Sequence, residues 1–184
     1  MGSIAKTSYI SGQRLWLAFI LLILGLFNTA CQAGIPSPPT APELEAVELD
    51  DTVEIAAGQT LYVPVYSYIF MVDGGRTINL TTTLSIRNTS PEQPLILTRV
   101  DYYDSRGNLV ASRLQNPVKL EPLASTEFVV PQEDITGGMG ASFLVEWVAQ
   151  AAVSDPVVEA IMINTQGNQG LSFTSPGQVI TTRP

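Results

Sequence analysis

Two kinds of side chain in this sequence could carry chemistry, a single thiol and a scatter of carboxylates. Cys31 is the only cysteine, and it closes the triplet Thr29-Ala30-Cys31. Upstream lie the apolar residues 15–27 and, before and beside them, the positive charges Lys6 and Arg14. Charge, apolar run and small residues ahead of a cut site form the layout of a bacterial export signal. The chemistry predicted at Cys31 is acylation, after which the cysteine becomes the new N-terminus. The apolar run is shorter than the roughly 20 residues a spanning helix needs, which favours a cleaved signal over a permanent membrane span. Asn28 stands where the third residue before a lipidated cysteine is usually Leu or another apolar type. An ordinary peptidase cut, for instance after Ala33, is therefore the alternative. Gln32, rather than Asp, follows the cysteine and favours the outer membrane over retention at the inner one.

The carboxylates on or beside predicted strands are Asp101, Asp104, Glu146 and Glu159. A pair of them in a cleft could act as acid and base in a hydrolase. Carboxylates at strand ends are ordinarily solvated or paired with Arg, so no catalytic residue and no enzyme is expected. A carboxylate-based hydrolase of the cell envelope is the alternative. The sequence has no histidine. That removes nucleophilic and metal schemes built on an imidazole base. With one cysteine and no imidazole, zinc, haem and iron–sulfur sites lack their usual ligands. The acidic stretch at residues 43–54 lacks the spacing of a calcium loop. No metal and no cofactor is expected.

The formal net charge is −8. Lys6 and Arg14 leave with the signal, so nine basic residues become seven against seventeen acidic ones, a net of −10. Such a domain repels nucleic acid, because phosphate binding relies on Lys and Arg. The expected partners are the membrane, through an N-terminal lipid anchor, and an envelope protein or glycan.

These groups must be held by the chain beyond the signal. Residues 1–30 read as the export signal and residues 31–57 as a tether, Pro-rich at 34–42 and then acidic. Proline lacks an amide donor and favours an extended chain, so residues 34–42 form a semi-rigid spacer. The acidic part reads as a solvated arm or an edge strand. From Gly58 to the end the pattern is β. Ile78, Leu80, Thr82, Leu84 and Ile86 alternate with polar residues, which marks a strand with one buried face. Pro64 suggests an edge position or a bulge in its strand. Asp104-Ser105-Arg106-Gly107-Asn108 reads as a tight hairpin turn. The alternation of Phe143, Val145 and Trp147 places Trp147 in the core. Gly137-Gly138-Met139-Gly140 and Gly167-Asn168-Gln169-Gly170 read as turns, since neither sits between a strand and a helix as a nucleotide loop does. Short strands punctuated by turns predict an all-β, immunoglobulin-like antiparallel sandwich of roughly 7–9 strands. Strand alternation would expose some of Tyr62, Tyr66, Tyr68, Tyr102 and Tyr103. Tyr66, Tyr68, Tyr102 and Tyr103 form the candidate binding surface, with packing as the alternative reading.

Six stretches carry a resemblance. They are Val63-Pro64-Val65-Tyr66-Ser67, Leu84-Ser85-Ile86-Arg87-Asn88, Val100-Asp101-Tyr102-Tyr103-Asp104, Pro122-Leu123-Ala124-Ser125, Gly140-Ala141-Ser142-Phe143-Leu144-Val145-Glu146-Trp147 and Gly170-Leu171-Ser172-Phe173. In that order they resemble an uncharacterised family of exported bacterial proteins, frequent in cyanobacteria, known as domain of unknown function 3124. The resemblance spans residues 58–180 and implies no assigned activity. In the family's pattern a histidine often stands where this chain has Tyr68, so any role of that imidazole is absent here. The expectation is an exported, lipid-anchored module that binds or supports structure in the envelope. An accessory subunit of an envelope complex is a further alternative.

Overall fold

The structure is a computed structural model describing residues 44–49, 53–166 and 170–183. Cys31, the apolar run and the Pro-rich spacer lie outside the described residues. Within them the chain has strands and no helix. The strands are β1 (Glu45–Ala46), β2 (Ala57–Val65), β3 (Tyr68–Phe70), β4 (Thr77–Asn79), β5 (Thr81–Arg87), β6 (Leu95–Tyr103) and β7 (Leu109–Ser112). They continue with β8 (Val118–Leu120), β9 (Ser125–Val130), β10 (Ala141–Ala149), β11 (Val157–Asn164), β12 (Leu171–Pro176) and β13 (Gln178–Arg183). The larger sheet has the order β1-β8-β6-β10-β2-β13, with β7 also pairing β6. The smaller has the order β12-β11-β5-β9, and β3 and β4 form a separate ribbon. Every pairing is antiparallel. This is the immunoglobulin-like antiparallel sandwich; strands beyond the expected 7–9 arise because β1, β3, β4 and β8 are only two or three residues long.

Alternation builds the core. In β10, Phe143, Val145 and Trp147 turn inward and are at most 2% exposed. Leu61, Val63 and Val65 of β2 and Leu84, Ile86, Ala160 and Met162 of the smaller sheet belong to the same cluster. Strand β6 changes phase. Glu146 opposes Arg99 and Trp147 opposes Leu97, so Thr98 is an extra residue, a bulge whose hydroxyl donates to the Glu146 carbonyl at 3.3 Å. The bulge lets both Leu97 and Val100 face inward, which a strict period of two forbids. The run from Ile78 to Ile86 keeps its alternation, with Leu80, Thr82, Leu84 and Ile86 buried, but is divided at Leu80 into two strands. β4 leaves to pair with β3, while Leu80, fully buried, donates its amide to the Ser67 carbonyl. Pro64 sits in β2 beyond the reach of β13, which pairs β2 only from Gly58 to Tyr62. Its missing amide donor therefore costs no ladder bond on that side.

The acidic arm is an edge strand at its start. Glu45 opposes Lys119 and Ala46 opposes Val118. The Lys119 ammonium lies 2.7 Å from Glu121 and 3.9 Å from Glu45. The sandwich thus takes in residues that composition alone assigns to the tether. Farther along, Leu49, Val53 and Ile55 border a cleft with Thr98 and Val148 on the outer face of the larger sheet. Val148 faces away from the inter-sheet core, yet it is only 3% exposed, beside Leu49, Val53 and Ile55.

Register defines two poles. One carries the connections 66–67, 104–108, 131–140 and 165–170, where Val65 opposes Ala141 and Ser142 opposes Tyr103. At the other, Ala57 opposes Ala149, Leu95 opposes Leu120 and Arg87 opposes Ser125. Leu44 and Glu45 lie at this second pole, in a hollow shared with Leu120, Glu121 and Ala124.

Candidate functional site

The four tyrosines of the candidate surface do not share one. Tyr102 is 1% exposed, in the core beside Phe143 with ring centroids 5.0 Å apart. It shares the inward phase of Val100, set by the bulge at Thr98. Its hydroxyl is 2.8 Å from Ser67 Oγ, and burial pushes the phenol pKa up, so it remains protonated. Tyr102 is thereby removed from the candidate surface. Tyr66 is half-buried, its ring edge-on to Phe173 at 5.7 Å. Tyr68 is half-buried on the ribbon, edge-on to Phe70 at 6.0 Å, and opposes Asn79. Tyr103 is half-buried on the outer face of the larger sheet, opposite Ser142 and Leu109.

The glycine-rich loop before β10 is a latch over Tyr102. A Cβ on Gly137 would overlap the Tyr102 hydroxyl, and Gly138 has φ +77°. Only glycine meets both demands without strain. The Gly137 carbonyl accepts from Ser105 Oγ at 2.8 Å, Gly140 N donates to the same Oγ at 2.8 Å, and Ser67 N donates to the Gly138 carbonyl at 3.0 Å. These are the contacts of a folded turn. Of the second glycine-rich stretch, residues 167–169 lie outside the described residues.

The four carboxylates do not converge on one cleft; Glu146 alone of them borders the cleft on the outer face of the larger sheet. Arg99 Nη2 meets Glu146 Oε1 at 3.0 Å and its Nε lies 3.8 Å from Asp101, on the outer face of the larger sheet. Thr60 also donates to Glu146, at 3.3 Å. Glu159 pairs with Arg87 at 3.5 Å on the other sheet. Asp104 caps the β6–β7 hairpin, accepting from Asn108 Nδ2 at 3.0 Å and from the amides of Asn108 and Arg106. Those bonds, the Asn108 side chain first, hold its carboxyl below the usual aspartate range. Gly107, at φ +81°, closes the turn. Among the described residues no cluster of three or more His, Cys, Asp or Glu could hold a metal ion.

What the loop pole does hold is a cleft of about 510 Å³ between the ribbon, the start of the loop after β9 and the end of β11. Its polar lining is Thr77, Asn79, Gln132, Glu133, Asn164 and Gln166, beside the apolar Met71, Ile78 and Leu171. Asn164, 7% exposed, fixes the wall. Its Nδ2 donates to the Asn79 carbonyl at 2.7 Å and its Oδ1 accepts from Gln166 N at 2.9 Å. Among the described residues Glu133 is the one carboxylate in the lining. The arrangement offers amide donors and acceptors beside apolar carbon, which suits a neutral polar ligand. Sequence reasoning missed this cleft because its residues come from separate segments, with no spacing to link them.

The sequence model of the family described as Protein of unknown function (DUF3124) matches residues 58–180, and the chain belongs to that family. No curated protein matches the chain. Among solved structures, the crystal structure of Thermotoga maritima 1070 is similar at 16% identity and a TM-score of 0.42, over 65% of this chain and 92% of that one.

Proposed function

We propose that this DUF3124 chain is an exported, lipid-anchored envelope module that binds a ligand and performs no catalysis. The sequence supports anchoring through the apolar run that ends at Cys31. One structural observation carries the binding reading: the amide-lined cleft lies at the pole opposite the one where the chain enters the sandwich. The carboxylates that a hydrolase would need sit in ion pairs and a turn, outside that cleft. Amide side chains both donate and accept, matching the hydroxyl and acetamido groups of an envelope glycan.

The test uses the full chain, extracted from membranes in detergent, and isolated peptidoglycan as the probe. The wild type is retained. Gln132→Ala and Gln166→Ala each weaken retention by roughly threefold to tenfold, the cost of one lost hydrogen bond. Lys119→Ala, at the opposite pole, leaves retention unchanged. No retention of the wild type, or equal retention of the glutamine variants, would contradict the reading.

A further inference from the structure

The edges of the sandwich are unequally guarded. A sheet edge presents unpaired amides and carbonyls, and proteins usually blunt it with charge. On one side the edges carry charges: Glu45 on β1, Lys119 on β8 and the exposed Glu127 on β9. The opposite side is formed by β12 at the edge of the smaller sheet and β13 at the edge of the larger. The two are nearly one strand, switching sheets at Gly177, whose amide donates to the Val158 carbonyl at 2.8 Å and whose absent side chain leaves room for that carbonyl. From Ala160 to Pro184 the sequence has no acidic residue, and Arg183 is the single charge. Val179 is 42% and Ile180 55% exposed here. Among the described residues nothing pairs with the outer side of β12 or β13.

We propose that two copies of this chain associate along this side, with β12–β13 of one antiparallel to β12–β13 of the other about a twofold axis. Electrostatics selects the face. At a net of −10 each after loss of the signal, two copies repel wherever their acidic surfaces meet. This side, where Arg183 is the single charge on β12 and β13, lets them approach with backbone groups still to satisfy. Pro176 of β12 and the bulge in β13 between Val179 and Thr181 interrupt this edge locally, but the bulge expels Ile180, an aliphatic rather than a charged side chain, so the edge carries no like-charge repulsion there. A twofold pairing brings the same patch of each copy together, as closed dimers require. The Pro-rich residues 34–42 of the chain itself are poor occupants, since proline donates no ladder bond.

The measurement is the mass of the detergent-extracted full chain by light scattering over a concentration series. The wild type is expected as a dimer that persists or tightens as salt rises, because salt screens the repulsion between acidic bodies. The double variant Thr174→Glu with Ile180→Glu sets like charges against each other across the axis. It should raise the dissociation constant on the order of a hundredfold. Both side chains are exposed, so the variant should keep the wild-type melting temperature. Mixing it with Thr174→Lys plus Ile180→Lys should restore pairing, and the lysine variant alone carries the same test should the acidic one unfold. All variants keep Cys31, so association through a lipid is common to all. A monomeric wild type, an acidic variant that stays dimeric, a mixture that stays apart, or a dimer that dissociates with salt would each overturn the proposal.

Discussion

Trp147→Ala should lower the stability of the sandwich by about 3–5 kcal/mol, the usual range for truncating a buried aromatic. The residue sits in β10, the strand flanked by β6 on one side and β2 on the other, and it is 2% exposed. Its register partners are Leu97 and Gln59, so removing the indole opens a void between the strands that carry most of the core. Its Nε1 finds no hydrogen-bond partner among the described residues, so the contribution is that of buried ring area. Trp147→Phe should therefore cost clearly less than Trp147→Ala. Against a typical domain stability of about 5–15 kcal/mol, the alanine variant loses a large share. Urea denaturation of the full chain measures it. A midpoint within error of wild type would place Trp147 outside the core.

The second large effect is expected from a polar residue. Asn88 is 2% exposed in the connection from β5 to β6. Its Nδ2 donates to the carbonyls of Gln93, Leu120 and Glu121 at 2.9, 3.2 and 3.1 Å, and its Oδ1 accepts from Ser90 N at 2.9 Å. One side chain thus joins the start of β6 to the end of β8 and closes its own turn. Leaving buried partners unsatisfied costs about 1–3 kcal/mol per group. Asn88→Ala orphans several at once, and a loss of about 2–4 kcal/mol is expected after local relaxation. Asn88→Asp keeps the shape and the acceptor but replaces both amide donors with an oxygen facing three carbonyls, so it should destabilise too. An aspartate variant as stable as wild type would show that the carbonyls do not depend on these donors.

Local signals in the sequence were good guides to strands and poor guides to their phase. Phe143, Val145 and Trp147 share one face because β10 pairs without interruption along β2. The Asp104–Asn108 turn was legible because its chemistry is contained in five residues. Tyr102 was not, because the bulge at Thr98 depends on the register of β6 against β10, which no local pattern encodes. Leu80 shows a different limit: its burial follows the period of two, yet the chain changes partners there and its amide goes to the Ser67 carbonyl, which no local pattern encodes. The cleft was invisible for a related reason. Asn79 and Asn164 are ordinary polar residues at two strand ends and Gln132 one in the loop after β9, and topology alone brings them together. The acidic arm lay between: its charge was plain, but its role as an edge strand rests on Lys119, far along the chain.

The proposal that this sandwich is held at a membrane by Cys31 is open to a direct test. The most direct measurement is metabolic labelling of the full chain with a radioactive fatty acid in a bacterial host. The expected result is label on the wild type, found with the membrane fraction, and none on Cys31→Ser. An unlabelled wild type, or equal label on the serine variant, would contradict it.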